Sequence, residues 1–183
     1  MKTLITILLT AGLLISCADE QAQQTMGNDH DIAERLAELG IELTEPGPPV
    51  ANFVYAVQTG NLVFLSGHGP DRPEGGQVTG KLGTDELTLE EGQEAARLTG
   101  IALLASLQQK IGDLNRVERI VKVNGMVNAD PSFTQHSQVV NGFSDLMVEI
   151  FGDKGRHARA SIGMSSLPGD IAVEIDMVVE ISD

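Results

Sequence analysis

The chain has no tryptophan, one tyrosine, five phenylalanines and a single cysteine, and it sets only 12 lysines and arginines against 26 acidic residues. Each shortage excludes something. A lone cysteine cannot close a disulfide within the chain, so stability must come from a packed core. So few aromatic faces leave little platform on which single-stranded bases could stack. A formal net charge of −14 repels phosphate backbones. Nucleic acid is therefore not an expected partner. The one dense basic group, Lys154, Arg156 and Arg159, reads as solvated loop or as the grip on a small ligand. His30, His68, His136 and His157 are scattered without a pair at helical or hairpin spacing, so no metal site is expected. Gly67-His68-Gly69-Pro70 lacks the lysine and the helix start of a phosphate loop.

What is present begins with a leader. Lys2 precedes an apolar run over residues 4–15, too short for a stable membrane span and right for a secretion signal over residues 1–16. Leu14-Ile15-Ser16-Cys17 resembles a bacterial lipobox, which implies cleavage before Cys17 and acylation of that cysteine. The expectation is a protein of the cell envelope that meets the membrane only through a lipid anchor and faces the periplasm. Ala18, rather than aspartate, after the cysteine favours the outer membrane. A plain signal peptide with a secreted or periplasmic product is the alternative. Loss of Lys2 with the leader takes the net charge from −14 to −15. Residues 17–30 are polar and Gln-rich, and read as a flexible tether.

The remaining length suits one compact domain. Ile32, Leu36 and Leu39 recur at helical spacing, so residues 31–49 read as a short helix followed by the Pro-rich connector Glu45-Pro46-Gly47-Pro48-Pro49. Residues 53–57 and 62–66 flank Gln58-Thr59-Gly60-Asn61 as a β-hairpin. Residues 67–83 form a Gly- and Pro-rich loop. Thr88-Leu89-Glu90-Glu91 is a capping box that opens a long helix running to Ile111. A turn at 113–116 leads to a strand over 117–127. Pro131-Ser132 opens a second helix through Phe133, Val140, Phe143, Met147 and Ile150, which Gly152-Asp153-Lys154-Gly155 ends. Two long helices can cover one face of a sheet and leave the other needing burial, for which self-association is the simplest answer.

The C-terminal segment carries the chemistry. From Val173 to Ile181 apolar and acidic residues alternate as a half-buried strand requires, with Val178 the one apolar exception on the acidic face. Residues 158–164 also read as a strand, and the Leu-Pro-Gly-Asp turn lets the two pair as a hairpin that points Arg159 and Glu174 into one cleft. A cation and an anion held there could grip a small carboxylate and steer a water. The plainer alternative is a cross-strand ion pair of little energetic weight. Glu174 with Asp176 also puts two carboxylates on one strand face, but without aromatic residues to stack on sugars a glycosidase reading is weak. His68 is either a site acid or base or a loop histidine contacting backbone.

Asn52-Phe53-Val54-Tyr55-Ala56-Val57-Gln58-Thr59-Gly60-Asn61-Leu62-Val63-Phe64-Leu65-Ser66-Gly67, followed far downstream by His-Ala-Arg-Ala-Ser and Leu-Pro-Gly-Asp-Ile-Ala-Val-Glu-Ile, resembles the Rid family of reactive-intermediate deaminases, the YjgF-like proteins. The resemblance spans residues 50–183. It implies an α+β, chorismate-mutase-like fold, a mixed β-sheet with two long helices packed on one face, and a homotrimer with ligand clefts between subunits. It also implies hydrolysis of small enamine or imine carboxylates to 2-keto acids and ammonia, with no cofactor or metal. By this resemblance Arg159 holds the substrate carboxylate and Glu174 stands near the attacking water. Phe53, Ser66, Gly67, His68, Asn141 and Ser161 fall at or near the substrate-binding positions. Phe53 stands where a tyrosine is usual and His68 where a glutamine is frequent. Ser161 replaces a frequent cysteine, though its backbone can still bond the imine nitrogen, and Asn141 is the nearest match to the family's helix-two asparagine. The rival class is a non-catalytic module that binds a small carboxylate in the envelope, and a third is a scaffold with an empty cleft.

Overall fold

The computed structural model describes residues 31–183, so the expected leader, Cys17 and the tether lie outside the described residues. Helix α1 (Ile32–Glu38) begins where the Asp31 carboxylate accepts the Ala33 N–H, an ordinary side-chain cap. Ile32 and Leu36 enter the core, while Arg35 Nε donates to the Glu149 carbonyl and the Ile32 N–H to Asn115 Oδ1. The short helix is thus fastened to the body of the domain rather than trailing from it.

Strands β1 (Ala56–Thr59) and β2 (Leu62–His68) pair antiparallel through the two-residue loop Gly60-Asn61. The loop is tighter than the sequence suggests, because Gly60 takes φ +57°, the positive value that a short hairpin loop needs. As a result the first strand lies closer to the turn than the expected 53–57. Helix α2 (Leu89–Ile111) opens with the expected capping box: Thr88 Oγ1 accepts the Glu91 N–H and Glu91 reaches back to the Thr88 N–H. Gly112 at φ +83° ends it. A 3₁₀ turn at Leu114–Arg116 then feeds β3 (Val117–Asn128).

Helix α3 (His136–Phe151) starts later than the expected Pro131-Ser132. The Asp130 carboxylate accepts both the N–H and the O–H of Ser132, and the Phe133 N–H donates to the Asp130 carbonyl. This local turn holds Pro131 and Ser132 out of the helix. Strand β4 (Ala158–Met164), a 3₁₀ turn at Pro168–Asp170 and β5 (Val173–Ile181) complete the chain.

The five strands form one mixed sheet in the order β1-β2-β5-β3-β4, antiparallel throughout except for the parallel β3–β4 pair. The expected hairpin of β4 and β5 does not form, because β3 lies between them. Its connection explains why. Gly169 and Asp170 both take positive φ, the Ala172 N–H donates to the Val78 carbonyl and the Asn128 N–H to that of Ala172. The chain is thereby tied across the end of β3 and enters the sheet on its far side, where β3's second edge awaits a partner.

Both long helices pack on one face of the sheet. Val63, Leu65, Val123, Val127, Val173, Ile175, Met177 and Val179 meet Leu103, Leu104, Leu107, Val140, Phe143 and Met147 in a single core. The opposite face carries Val57, Phe64 and Ile162, each about half exposed at 53%, 45% and 47%. This is the uncovered face that the helix count leads one to expect.

Candidate functional site

Strand register decides how the candidate residues are distributed. Arg159 pairs with Val123 and Ser161 with Gly125, positions that face the helices. Glu174 pairs with Met126, on the uncovered face. The expectation that Arg159 and Glu174 look into one cleft of a single chain is therefore corrected. They lie on opposite faces with β3 between their strands, since a strand alternates faces residue by residue and the two sit an odd number of positions apart in the common register.

Arg159 is held from α3. Its Nη1 donates to Asn141 Oδ1 at 3.0 Å and to Ser144 Oγ at 2.8 Å, and its Nη2 donates to the Ser137 carbonyl at 3.2 Å. All three acceptors are uncharged, and no carboxylate among the described residues pairs with this guanidinium. The plain ion-pair alternative is thus excluded within the described chain. Guanidinium offers five N–H donors, so Nε–H and one Nη2–H remain unengaged among the described residues, the number a carboxylate accepts as a fork. Asn141, placed by resemblance, does join the arginine. Ser137 and Ser144 were missed, although Ser137, Asn141 and Ser144 form a polar stripe at helical spacing on α3.

Glu174 is half-buried on the other face. Burial first, and the neighbouring Asp176 second, push its carboxyl pKa up. Asp176 is itself held by Asn124 Nδ2 at 2.9 Å. Gly67 lies directly beneath Glu174: a Cβ at that position would collide with the carboxylate oxygen. The missing side chain gives the carboxylate its place. Ser66 donates through Oγ to the Val54 carbonyl and through its N–H to that of Tyr55, which fixes the strand leading to Gly67. Phe53 is 44% exposed and meets the Tyr55 ring edge-on, at 5.8 Å between centroids.

His68 contacts backbone, as the second sequence reading has it, but not from a loop. It ends β2 rather than standing in a loop, and its ring turns into the helix layer at 8% exposure. Nδ1 lies 2.8 Å from the Ser66 carbonyl and Nε2 2.7 Å from Ser106 Oγ, and burial lowers its pKa. Both ring nitrogens are already engaged, away from Glu174. The Ser161 hydroxyl is enclosed beneath α3 with no partner among the described residues, and further along β4 the His136 ring occupies the space that a side chain at Gly163 would need. No group of three or more His, Cys, Asp and Glu side chains gathers among the described residues.

Fold and site together define a small α+β domain that offers a half-buried arginine on one side of its sheet and a perturbed glutamate on the other. The chain belongs to the YjgF/chorismate mutase-like family: the family model described as "YjgF/chorismate mutase-like, putative endoribonuclease" matches residues 33–179. Protein TCP17 of Trypanosoma cruzi is 44% identical over 153 residues, covering 83% of this chain and 95% of that protein. The crystal structure of Atu1372 from Agrobacterium tumefaciens, a protein of unknown function, is 41% identical with a TM-score of 0.75, covering 82% of this chain and 93% of that one. A Shewanella oneidensis structure, described as an endoribonuclease in the same terms as the family, is 31% identical with a TM-score of 0.79, covering 83% of this chain and 100% of that one.

Proposed function

We propose that this protein hydrolyses small enamine or imine carboxylates to 2-keto acids and ammonia, in a cleft that two copies of the chain complete as part of a homotrimer. The observation that carries the reading is Arg159, a half-buried cation in a chain of net charge −14 that has neutral acceptors on three sides and no anion among the described residues. Leaving such a charge uncompensated costs free energy, and a substrate carboxylate would supply the missing counter-charge. Because Glu174 sits on the opposite face, it serves a neighbour's arginine rather than its own. Association through the open face, where Val57, Phe64 and Ile162 stand exposed, brings the two together.

The chemistry then follows from the groups. An enamine gains a proton at carbon and becomes the iminium ion, whose conjugated carbon is already electrophilic. Glu174 takes a proton from water as the oxygen attacks that carbon, giving a carbinolamine, and returns it to the amine nitrogen; the C–N bond then breaks, ammonia leaves with the bonding pair, and the hydroxyl proton passes to Glu174 as the C=O bond forms. A raised carboxyl pKa suits this exchange, because the group must both accept and give a proton near neutrality. By the leader and Cys17, the place of action is the envelope face of a membrane. The endoribonuclease description borne by relatives finds little support in so acidic a chain.

The second reading is a carboxylate-binding module without turnover. It is favoured by Phe53, which lacks the hydroxyl of the tyrosine it replaces, and by His68, whose ring is committed to Ser66 and Ser106. The test is an enamine generated in situ, with loss of the imine absorbance followed over time. Glu174→Gln is expected to bind a 2-keto acid as the native chain does while losing at least about a hundredfold in turnover. Turnover equal to the native rate would remove Glu174 as the base. Retained 2-keto-acid binding with no turnover in the native chain would support the module.

A further inference from the structure

The proposed role of Arg159 leaves two polar residues beside it unaccounted for, Ser144 and His157. His157 precedes β4, with its ring edge-on to Phe143 at 5.7 Å. Its Nδ1 lies 2.7 Å from the Gly155 carbonyl, and its Nε2 lies 3.1 Å from Ser144 Oγ. A carbonyl can only accept, so Nδ1 carries the proton and Nε2 of the neutral ring is an acceptor. Ser144 must then donate its O–H to Nε2. This directs the oxygen's lone pairs elsewhere, and Arg159 Nη1 donates to that same oxygen at 2.8 Å.

We infer that Ser144 and His157 are positioning residues that set Arg159 for its carboxylate, through a one-directional chain from Arg159 to Ser144 to His157 to the Gly155 carbonyl. The inference rests on the carboxylate-binding role of Arg159 proposed above. Without the acceptor at Nε2 the serine hydroxyl is free to rotate, and one rotamer turns its hydrogen against the Nη1–H. The guanidinium then keeps only Asn141 and the Ser137 carbonyl, and the unengaged donors no longer point in one fixed direction. Burial, and secondarily Arg159 itself, lower the His157 pKa, which keeps the ring neutral as the chain requires. His157 therefore acts on a ligand that it does not touch.

Pyruvate titrated calorimetrically into the full chain tests this, with melting temperature recorded for every variant. Ser144→Ala and His157→Phe are each expected to weaken pyruvate binding about tenfold, the scale of one hydrogen bond to a charged group. The double variant should be no weaker than either single one, because both break the same chain. His157→Gln, whose amide oxygen can accept the serine hydroxyl, should restore affinity to within about threefold of the native chain. Native affinity in His157→Phe, or fully additive losses, would overturn the inference while leaving the carboxylate role intact, provided that Arg159→Ala abolishes binding. No pyruvate binding by the native chain, or unchanged binding by Arg159→Ala, would sink both. Nitrogen NMR of the native imidazole gives an answer independent of any variant's folding: a protonated Nδ1 is expected, and a neutral ring protonated at Nε2 overturns the inference.

Discussion

At the scale of single residues, the two faces of β3 and its neighbours assign different electrostatic tasks. Arg159 is kept charged and uncompensated, whereas Glu174 is pushed toward neutrality by burial and by Asp176. If Glu174 is the base, turnover must rise with pH through a pKa above the ordinary glutamate value of 4.5. In Glu174→Gln that acid limb should be missing from whatever activity remains, as a pH–rate profile would reveal. His68 gives a stability prediction of definite sign. Its folded pKa lies below the ordinary histidine value of 6.5, so the unfolded chain takes up the proton first as pH falls. The stability it contributes is present above that value and is lost as pH drops through the folded pKa. Melting temperatures measured from about pH 8 to about pH 5 should decline, and His68→Gln should lessen the decline, leaving the part due to His157, while lowering stability at the alkaline end.

At the scale of elements, close approach between helices and strands is set by glycines in specific places. A Cβ on Gly142 in α3 would meet the Gln93 carbonyl of α2, which is backbone and cannot turn aside. Gly142→Ala should therefore force the helices apart and cost about 1–3 kcal/mol in chemical denaturation. Gly67→Ala has another outcome, because its Cβ would meet the end of a flexible side chain, the Glu174 carboxylate. The fold should survive with little change in melting temperature while turnover falls, since the carboxylate alone must move. Together the pair separates a glycine that builds the scaffold from one that seats the base.

At the scale of the whole molecule, the sheet has one finished face and one unfinished one. Val57, Phe64 and Ile162 remain exposed on the same face as Glu174, and burying them in an assembly would remove apolar area from water and help to enclose the proposed site. Phe64→Asp should dissociate the proposed trimer in sedimentation velocity. It should abolish turnover as well, although Phe64 lies on β2 and makes no contact with Arg159 in the protomer. A dissociated protein that still turned over substrate at the native rate would end the inter-subunit reading.

The sequence alone determined the elements whose signals are local. The Thr88 capping box, the alternation along Val173–Ile181 and the Gly152 helix stop all depend on residues a few positions apart, and each appears as expected. Family resemblance points to Asn141, whereas Ser144 has no signal beyond its place in the polar stripe of α3. Strand adjacency, by contrast, is settled by contacts distant in the chain. Two strands joined by Leu-Pro-Gly-Asp carry the same alternating pattern whether they pair with each other or flank a third. Placing β3 between them sends Arg159 and Glu174 to opposite faces, and that placement is fixed by contacts of Ala172 with Val78 and Asn128 that are far apart in the chain. Local pattern records which side of a strand is apolar, but not which strand lies beside it, because register and order are set by the energy of the closed core as a whole.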